Sequence, residues 1–195
     1  LRLVKCLGEA HCGLLQLEHS YDLGEMYGDN YGYRSGLNPS MVAHLHGKVR
    51  RLLQQVVPRS GDIVLDIGSN DSTTLQAYPI NGATLVGIDP TGIKFRDHYP
   101  AHIALIPDFF SAATFRQRFG ERKAKIVTSF SMFYDLEDPL GFMREVHEVL
   151  DAEGLWVFEQ SYMPRMLQAN SYDTVCHEHL EYYALKQIQW MAERA

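Results

Sequence analysis

Two short segments hold the residues best suited to bind and position a ligand. In Val64-Leu65-Asp66-Ile67-Gly68-Ser69-Asn70-Asp71 an apolar run stops at an acid and breaks into a glycine turn. About twenty residues later Leu85-Val86-Gly87-Ile88-Asp89 repeats the move from apolar run to acid. Where parallel strands end, acids face a crevice and can accept hydrogen bonds from ribose hydroxyls. Asp66 and Asp89 therefore predict a ligand containing adenosine. Gly68 has no Cβ to obstruct a sharp bend beside that ligand. A pyrophosphate wants a multi-glycine turn and close backbone approach. One glycine followed by Ser69 and Asn70 suits an adenosyl group without phosphates. Asp89 is expected to accept both ribose hydroxyls, with Pro90 beside it. Asp108 and Phe109, in Pro107-Asp108-Phe109-Phe110, are expected to take the adenine amine and flank the ring, and Ser129 completes the cofactor-binding set.

The second segment is Cys176-His177-Glu178-His179-Leu180-Glu181-Tyr182-Tyr183. Neutral imidazole takes up a proton near physiological pH. In an extended segment His177 and His179 share one face and Glu178 opposes them; in a helix the two rings would diverge by roughly 200°. A general base with orienting neighbours is the preferred reading, over a metal pair or a buried structural pair. The run Tyr27-Gly28-Asp29-Asn30-Tyr31-Gly32-Tyr33-Arg34-Ser35-Gly36 is rich in tyrosine and glycine, and is expected to cover the site as a lid. Tyr31, Tyr33 and Tyr182 are candidate donors to the reacting group.

The elements that must carry these residues alternate. Strands are expected near Ile63–Ile67, Thr84–Ile88, Ala101–Ile106, Ile126–Phe130 and Leu155–Glu159, with helices near Thr73–Ala77, Gly92–Asp97, Ala112–Phe119 and Asp138–Leu150. Asn38-Pro39-Ser40 opens a further helical pattern that closes before Pro58. This alternation predicts an α/β fold with a doubly wound parallel sheet over residues 39–195. Residues 1–38 read as a short irregular N-terminal segment, with a strand possible at Gly13–Glu18.

The 195 residues fit one domain plus a small appendage. A net charge of -6 argues against a nucleic-acid partner, which would require a basic stripe. No apolar run approaches the length of a membrane span and no signal peptide is visible, so the expected location is cytoplasmic. With Leu1 at the start and a helical pattern at the end, both termini are expected to belong to a longer protein, its C-terminal part lying beyond this chain. Cys6, Cys12 and Cys176 do not form a disulfide framework, and no metal ligand is assigned. Oligomeric state is not legible here.

Taken together, the chain resembles the sugar C-methyltransferases of deoxysugar biosynthesis. The resemblance rests on Cys12-Gly13-Leu14-Leu15-Gln16-Leu17, Tyr31-Gly32-Tyr33-Arg34-Ser35-Gly36, Asp66-Ile67-Gly68-Ser69-Asn70-Asp71 and the Cys176–Tyr183 block. It implies a Rossmann-like class I fold that binds S-adenosylmethionine, and a nucleotide-linked 4-keto-deoxysugar as substrate. It also implies His179 as the base, with Glu178, His177 and the tyrosines around the sugar. A zinc-binding N-terminal lobe is implied for the full protein, residues 1–38 being its remnant. Glu9 stands where a ligand cysteine would, so the zinc set is incomplete in this chain. Ser72 replaces the usual glycine and Cys176 a usual tyrosine. The competing classes are an O- or N-methyltransferase, a nicotinamide-dependent oxidoreductase and a non-catalytic binding module.

Overall fold

The structure, a computed structural model, describes residues 1–9, 11–28 and 31–195. In chain order its elements are β1 (Leu3–Lys5), β2 (Leu15–Leu17), α1 (Leu23–Met26), α2 (Pro39–Leu52), β3 (Ile63–Ile67), β4 (Thr84–Ile88) and β5 (Ile103–Ile106). There follow α3 (Ala112–Phe119), β6 (Ala124–Phe130), α4 (Pro139–Val149), β7 (Leu150–Glu159), α5 (Met163–Ala169), β8 (Glu181–Tyr182) and α6 (Leu185–Ala192).

Five strands form one parallel sheet in the order β5-β4-β3-β6-β7. Every residue of β3 is buried, as a central parallel strand covered on both faces must be. Val64 packs on one side with Val49 and Leu52 of α2. Its neighbour Leu65 packs on the other with Phe115 of α3 and Val146 of α4. The order runs outward from β3 through β4 to β5, then restarts at β6 on β3's other flank. That reversal opens a crevice at the carboxyl ends of the strands.

Local chemistry sets the helix starts. Asn38 caps α2 by accepting from the Ser40 amide, with Pro39 in the first turn. Ser111 and Asp138 cap α3 and α4 in the same way. The helices expected at 73–77 and 92–97 are 3-10 turns, over Leu75–Ala77, and over Pro90–Ile93 and Arg96–His98. Left-handed backbone at Asn70 and Ser72 (φ 50° and 65°) uses up the start of the first connection. The few residues that remain are too short for a stable α-helix.

The N-terminal segment is more ordered than its composition suggests. β1 pairs antiparallel with β2, and β2 with β8, giving a second, three-stranded sheet. α6 is the helical pattern expected at the end of the chain, whereas α5 and β8 were not expected. No described helix is long and apolar enough to cross a membrane.

Candidate functional site

A cavity of about 620 Å³ occupies the crevice at the carboxyl ends of β3, β4 and β6. Its floor is the turn after β3. Gly68 takes φ +71°, and a Cβ there would lie 3.3 Å from Met132, so the glycine serves both the bend and the close approach. Asn70, also left-handed, donates its amide to Asp89 Oδ2 at 2.7 Å. Asp89 Oδ1 accepts from the amide and hydroxyl of Thr91. These three donors fix the carboxylate at the cavity wall. A carboxylate has about four acceptor positions, so roughly one remains for a ligand hydroxyl, not the two expected of Asp89.

Gly68, Asn70, Asp89, Pro90 and Phe109 all line the cavity, and Phe109 is 42% exposed. The other expected cofactor residues do not line it. Asp66 is turned into the sheet, where it accepts from the Thr128 hydroxyl; burial, reinforced by the Asp89 charge against that hydrogen bond, pushes it up to about 7. The Ser69 hydroxyl packs with that of Tyr99 at 2.8 Å, in space open only because residue 87 is glycine. Ser129 is fully buried and accepts from the Trp156 indole. Asp108 is exposed and accepts from the next amide, that of Phe109. Asp66 and Ser129 lie on opposite faces of the sheet, each held by a neighbouring strand, and Ser69 is held by Tyr99 behind the turn.

The tyrosine-rich segment is fastened to the same turn. Asn70 accepts from the Ser35 amide and donates to the Tyr33 carbonyl, while Asp71 accepts from the Gly36 amide at 2.9 Å. Tyr27, Tyr31 and Tyr33 line the cavity. Asp29 and Asn30, part of the expected lid, lie outside the described residues. Burial holds the phenols of Tyr27 and Tyr31 above their ordinary range, so both remain protonated donors.

His179 and Glu178 line the same cavity. His179 Nδ1 lies 2.7 Å from the Thr174 carbonyl and must donate to it, leaving Nε2 as the basic nitrogen. The Tyr134 ring packs on the imidazole with centroids 4.1 Å apart. His177 is not in the cavity; it is exposed and faces His19, with Nδ1 3.3 Å from Nε2 of that ring. Tyr182 lies off the cavity too, its hydroxyl buried without a partner.

Asp135 is the site residue that the sequence reading missed. It lines the cavity on the 3-10 turn after β6, and Oδ2 accepts from the Tyr27 hydroxyl at 3.0 Å. Burial pushes its carboxyl up to about 8. The Tyr21 hydroxyl donates to the Glu178 carbonyl at 2.9 Å and lies 3.4 Å from that of Asp135, tying this turn to the histidine loop. A signal was available: Asp135 follows a strand end, as Asp89 does. The cavity wall carries the carboxyls of Asp89, Asp135, Glu137 and Glu178 and, among the described residues, no lysine or arginine.

Cys176, Glu178 and His179 form a compact group of potential metal ligands, one atom from each lying within 4.8 Å of the others. It overlaps the basic nitrogen's surroundings, whereas Cys6 and Cys12 form no such group with a third ligand among the described residues.

Residues 41–195 match a family model described as a methyltransferase domain. Over 177 residues the chain is 27% identical to the C-methyltransferase NovU of Streptomyces niveus; the match covers 89% of this chain and 41% of that protein. The chain thus spans about two-fifths of the length of this curated relative. Among solved structures it is similar to a chain of the Haloferax volcanii complex between the Trm112 methyltransferase activator and a methyltransferase (TM-score 0.63, 15% identity, 82% of this chain and 71% of that one). It is also similar to LepI in complex with SAM (TM-score 0.57, 15% identity, 82% and 47%). A third similar structure is the plantazolicin methyltransferase BpumL with SAH (TM-score 0.55, 13% identity, 79% and 68%). These likenesses establish the Rossmann-like class I architecture that the family resemblance implies, on the parallel sheet expected from the alternating elements.

Proposed function

The chain belongs to the methyltransferase-domain family, and from that membership we propose that it transfers a methyl group from S-adenosylmethionine to the carbon beside the ketone of a nucleotide-linked 4-keto-deoxysugar. The Gly68 bend, the fixed Asp89 carboxylate and the Phe109 ring suit an adenosyl group without a pyrophosphate. Two structural neighbours, solved with SAM and with SAH, support that choice of cofactor. When bound, S-adenosylmethionine supplies an electrophilic methyl group carried on a cationic sulfur, and the cation-free wall suits that charge. Asn70 and Asp89 hold the nucleoside end, while Phe109 and Pro90 flank it.

One observation carries the carbon-acid chemistry: a histidine with Nδ1 committed and Nε2 basic, in the same cavity as the cofactor turn. Removing the hydrogen next to a ketone requires a base within reach and donors for the oxygen that gains charge. His179 fills the first role, and the hydroxyls along the wall supply the second. Similarity to the C-methyltransferase NovU supports the same reading. Among the described residues no lysine or arginine lines the cavity, which suits the sugar entering it with the diphosphate held outside.

The test is solvent deuterium exchange into dTDP-4-keto-6-deoxyglucose without cofactor, together with methyl transfer from labelled S-adenosylmethionine. His179→Asn should abolish both and leave S-adenosylmethionine affinity within about twofold. Wild-type exchange and transfer persisting in that variant would reassign the base. Methyl transfer to a hydroxyl or amine acceptor without any carbon exchange would favour the O- or N-methyl reading.

A further inference from the structure

An enolate oxygen needs a hydrogen-bond donor that has not already been spent elsewhere. Tyr31 and Tyr33 line the cavity, and Tyr182 does not. Tyr27, which the sequence reading left among the lid residues, differs from all three in having a carboxyl partner. Its hydroxyl lies 3.0 Å from Asp135 Oδ2, and both residues line the cavity on the side joined through Tyr21 to the histidine loop.

Resting on the keto-sugar reading, we propose that Tyr27 and Asp135 act as one donor pair that hydrogen-bonds the substrate's carbonyl oxygen as it becomes an enolate. A count of protons makes the argument. The contact between the phenol and the carboxyl is a single hydrogen bond and uses one proton. If the carboxyl is ionised, the pair owns only the phenolic proton, which the carboxylate holds, and none is left for the cavity. With a neutral carboxyl the pair owns two protons. One joins the partners, and the phenol is then free to present its own proton to an acceptor in the cavity. A neutral carboxyl donating to the phenol also strengthens the phenol as a donor in turn.

The surroundings favour the neutral form. Asp135 is half-buried, its Oδ1 is buried without a partner, and burial lifts the carboxyl to about 8. The groups facing it are Tyr21 and Tyr27 from the segment around α1, Tyr31 from the clasped loop, and Glu178 from the histidine loop. Tyr134 and Glu137 flank it on its own turn, and Tyr182 approaches from β8. Among the described residues no lysine or arginine lines this wall to draw the proton off.

The step balances. The substrate C–H bond breaks, His179 Nε2 takes the proton, and the bonding pair forms the new carbon–carbon double bond. The carbonyl π pair moves onto oxygen, where the donor pair meets it. No co-reactant is needed, so exchange of the carbon-bound hydrogen with solvent reads this step without cofactor.

The experiment uses the full chain, dTDP-4-keto-6-deoxyglucose in deuterium oxide, and wild type, Tyr27→Phe and Asp135→Asn. Wild-type exchange should fall on the alkaline side with a midpoint near 8, as Asp135 loses its proton. Asp135→Asn, whose amide donates at every pH, should lose that alkaline limb. Tyr27→Phe should slow exchange on the order of 100-fold, the usual cost of one oxyanion donor, with S-adenosylmethionine affinity unchanged. Retention of the alkaline limb in Asp135→Asn, or exchange within twofold of wild type in Tyr27→Phe, overturns the pair while leaving the keto-sugar reading intact. A wild type that exchanges no hydrogen overturns both.

Discussion

At the scale of single residues, Asp89 and Asp66 show how two acids at neighbouring strand ends come to differ. Asp89 sits at the cavity wall with three protein donors and one remaining acceptor position. Asp89→Ala should therefore weaken S-adenosylmethionine binding about 10- to 100-fold by calorimetry, since a charge-assisted hydrogen bond contributes about 1.5–3 kcal/mol. Asp66 lies behind the turn, and its raised carboxyl has a consequence for stability. A group that holds its proton more tightly folded than unfolded makes the fold most stable below the unfolded value, here 3.8. Stability is then lost as pH rises toward about 7, and levels off above it. Asp135 and Glu181, each pushed up to about 8 mainly by burial, act in the same direction. Thermal melts should therefore show a falling midpoint from pH 4 to 8. Asp66→Asn should flatten that fall, the difference amounting to a few kcal/mol at most, since each pK unit corresponds to about 1.4 kcal/mol. A variant with the wild-type slope would mean that Asp66 is not protonated in the folded state.

At the scale of elements, what the sequence discloses is what is local. The strand ends, the Gly68 bend, the caps at Asn38 and Asp138, and the sheet's parallel character follow from short apolar runs and the residues that interrupt them. Asp135, and its pairing with the lid residue Tyr27, escaped because that partnership joins residues 108 apart in the chain. Likewise, β8 has two residues and exists only because β2 is there to pair with it. His177 and Ser129 were expected at the site, but the structure turns His177 toward His19 and Ser129 toward Trp156, neither lining the cavity. The clasp between residues 33–36 and the Asn70-Asp71 turn is likewise non-local, and it makes a prediction. Gly36 has no room for a side chain, because a Cβ would come within 2.5 Å of Asp71 Oδ2. Gly36→Ala and Asp71→Ala should both raise the hydrogen-exchange rates of the Ser35 and Gly36 amides by at least tenfold. The amides within β3 should keep their protection, because the sheet does not depend on the clasp.

At the scale of the whole molecule, the second sheet makes the histidine loop depend on the first eighteen residues. Leu17 donates its amide to the Leu180 carbonyl at 2.7 Å, one residue beyond His179, and β2 holds Tyr182 in register with Leu15. Deleting residues 1–18 should leave the five-stranded sheet and its affinity for S-adenosylmethionine largely intact, yet abolish exchange at the substrate carbon. Isothermal titration and the exchange assay on the same preparation would separate the two. Equal loss of both would mean that the small sheet supports the entire fold.

The carboxylates of Asp89, Glu137 and Glu178, with no lysine or arginine beside them among the described residues lining the cavity, also bear on what leaves the site. Methyl transfer converts a sulfonium into a neutral thioether, so the electrostatic attraction that favoured the incoming cofactor vanishes from the spent one. Turnover in this chain would then discharge its own grip, and added salt should narrow the gap in affinity between the two forms.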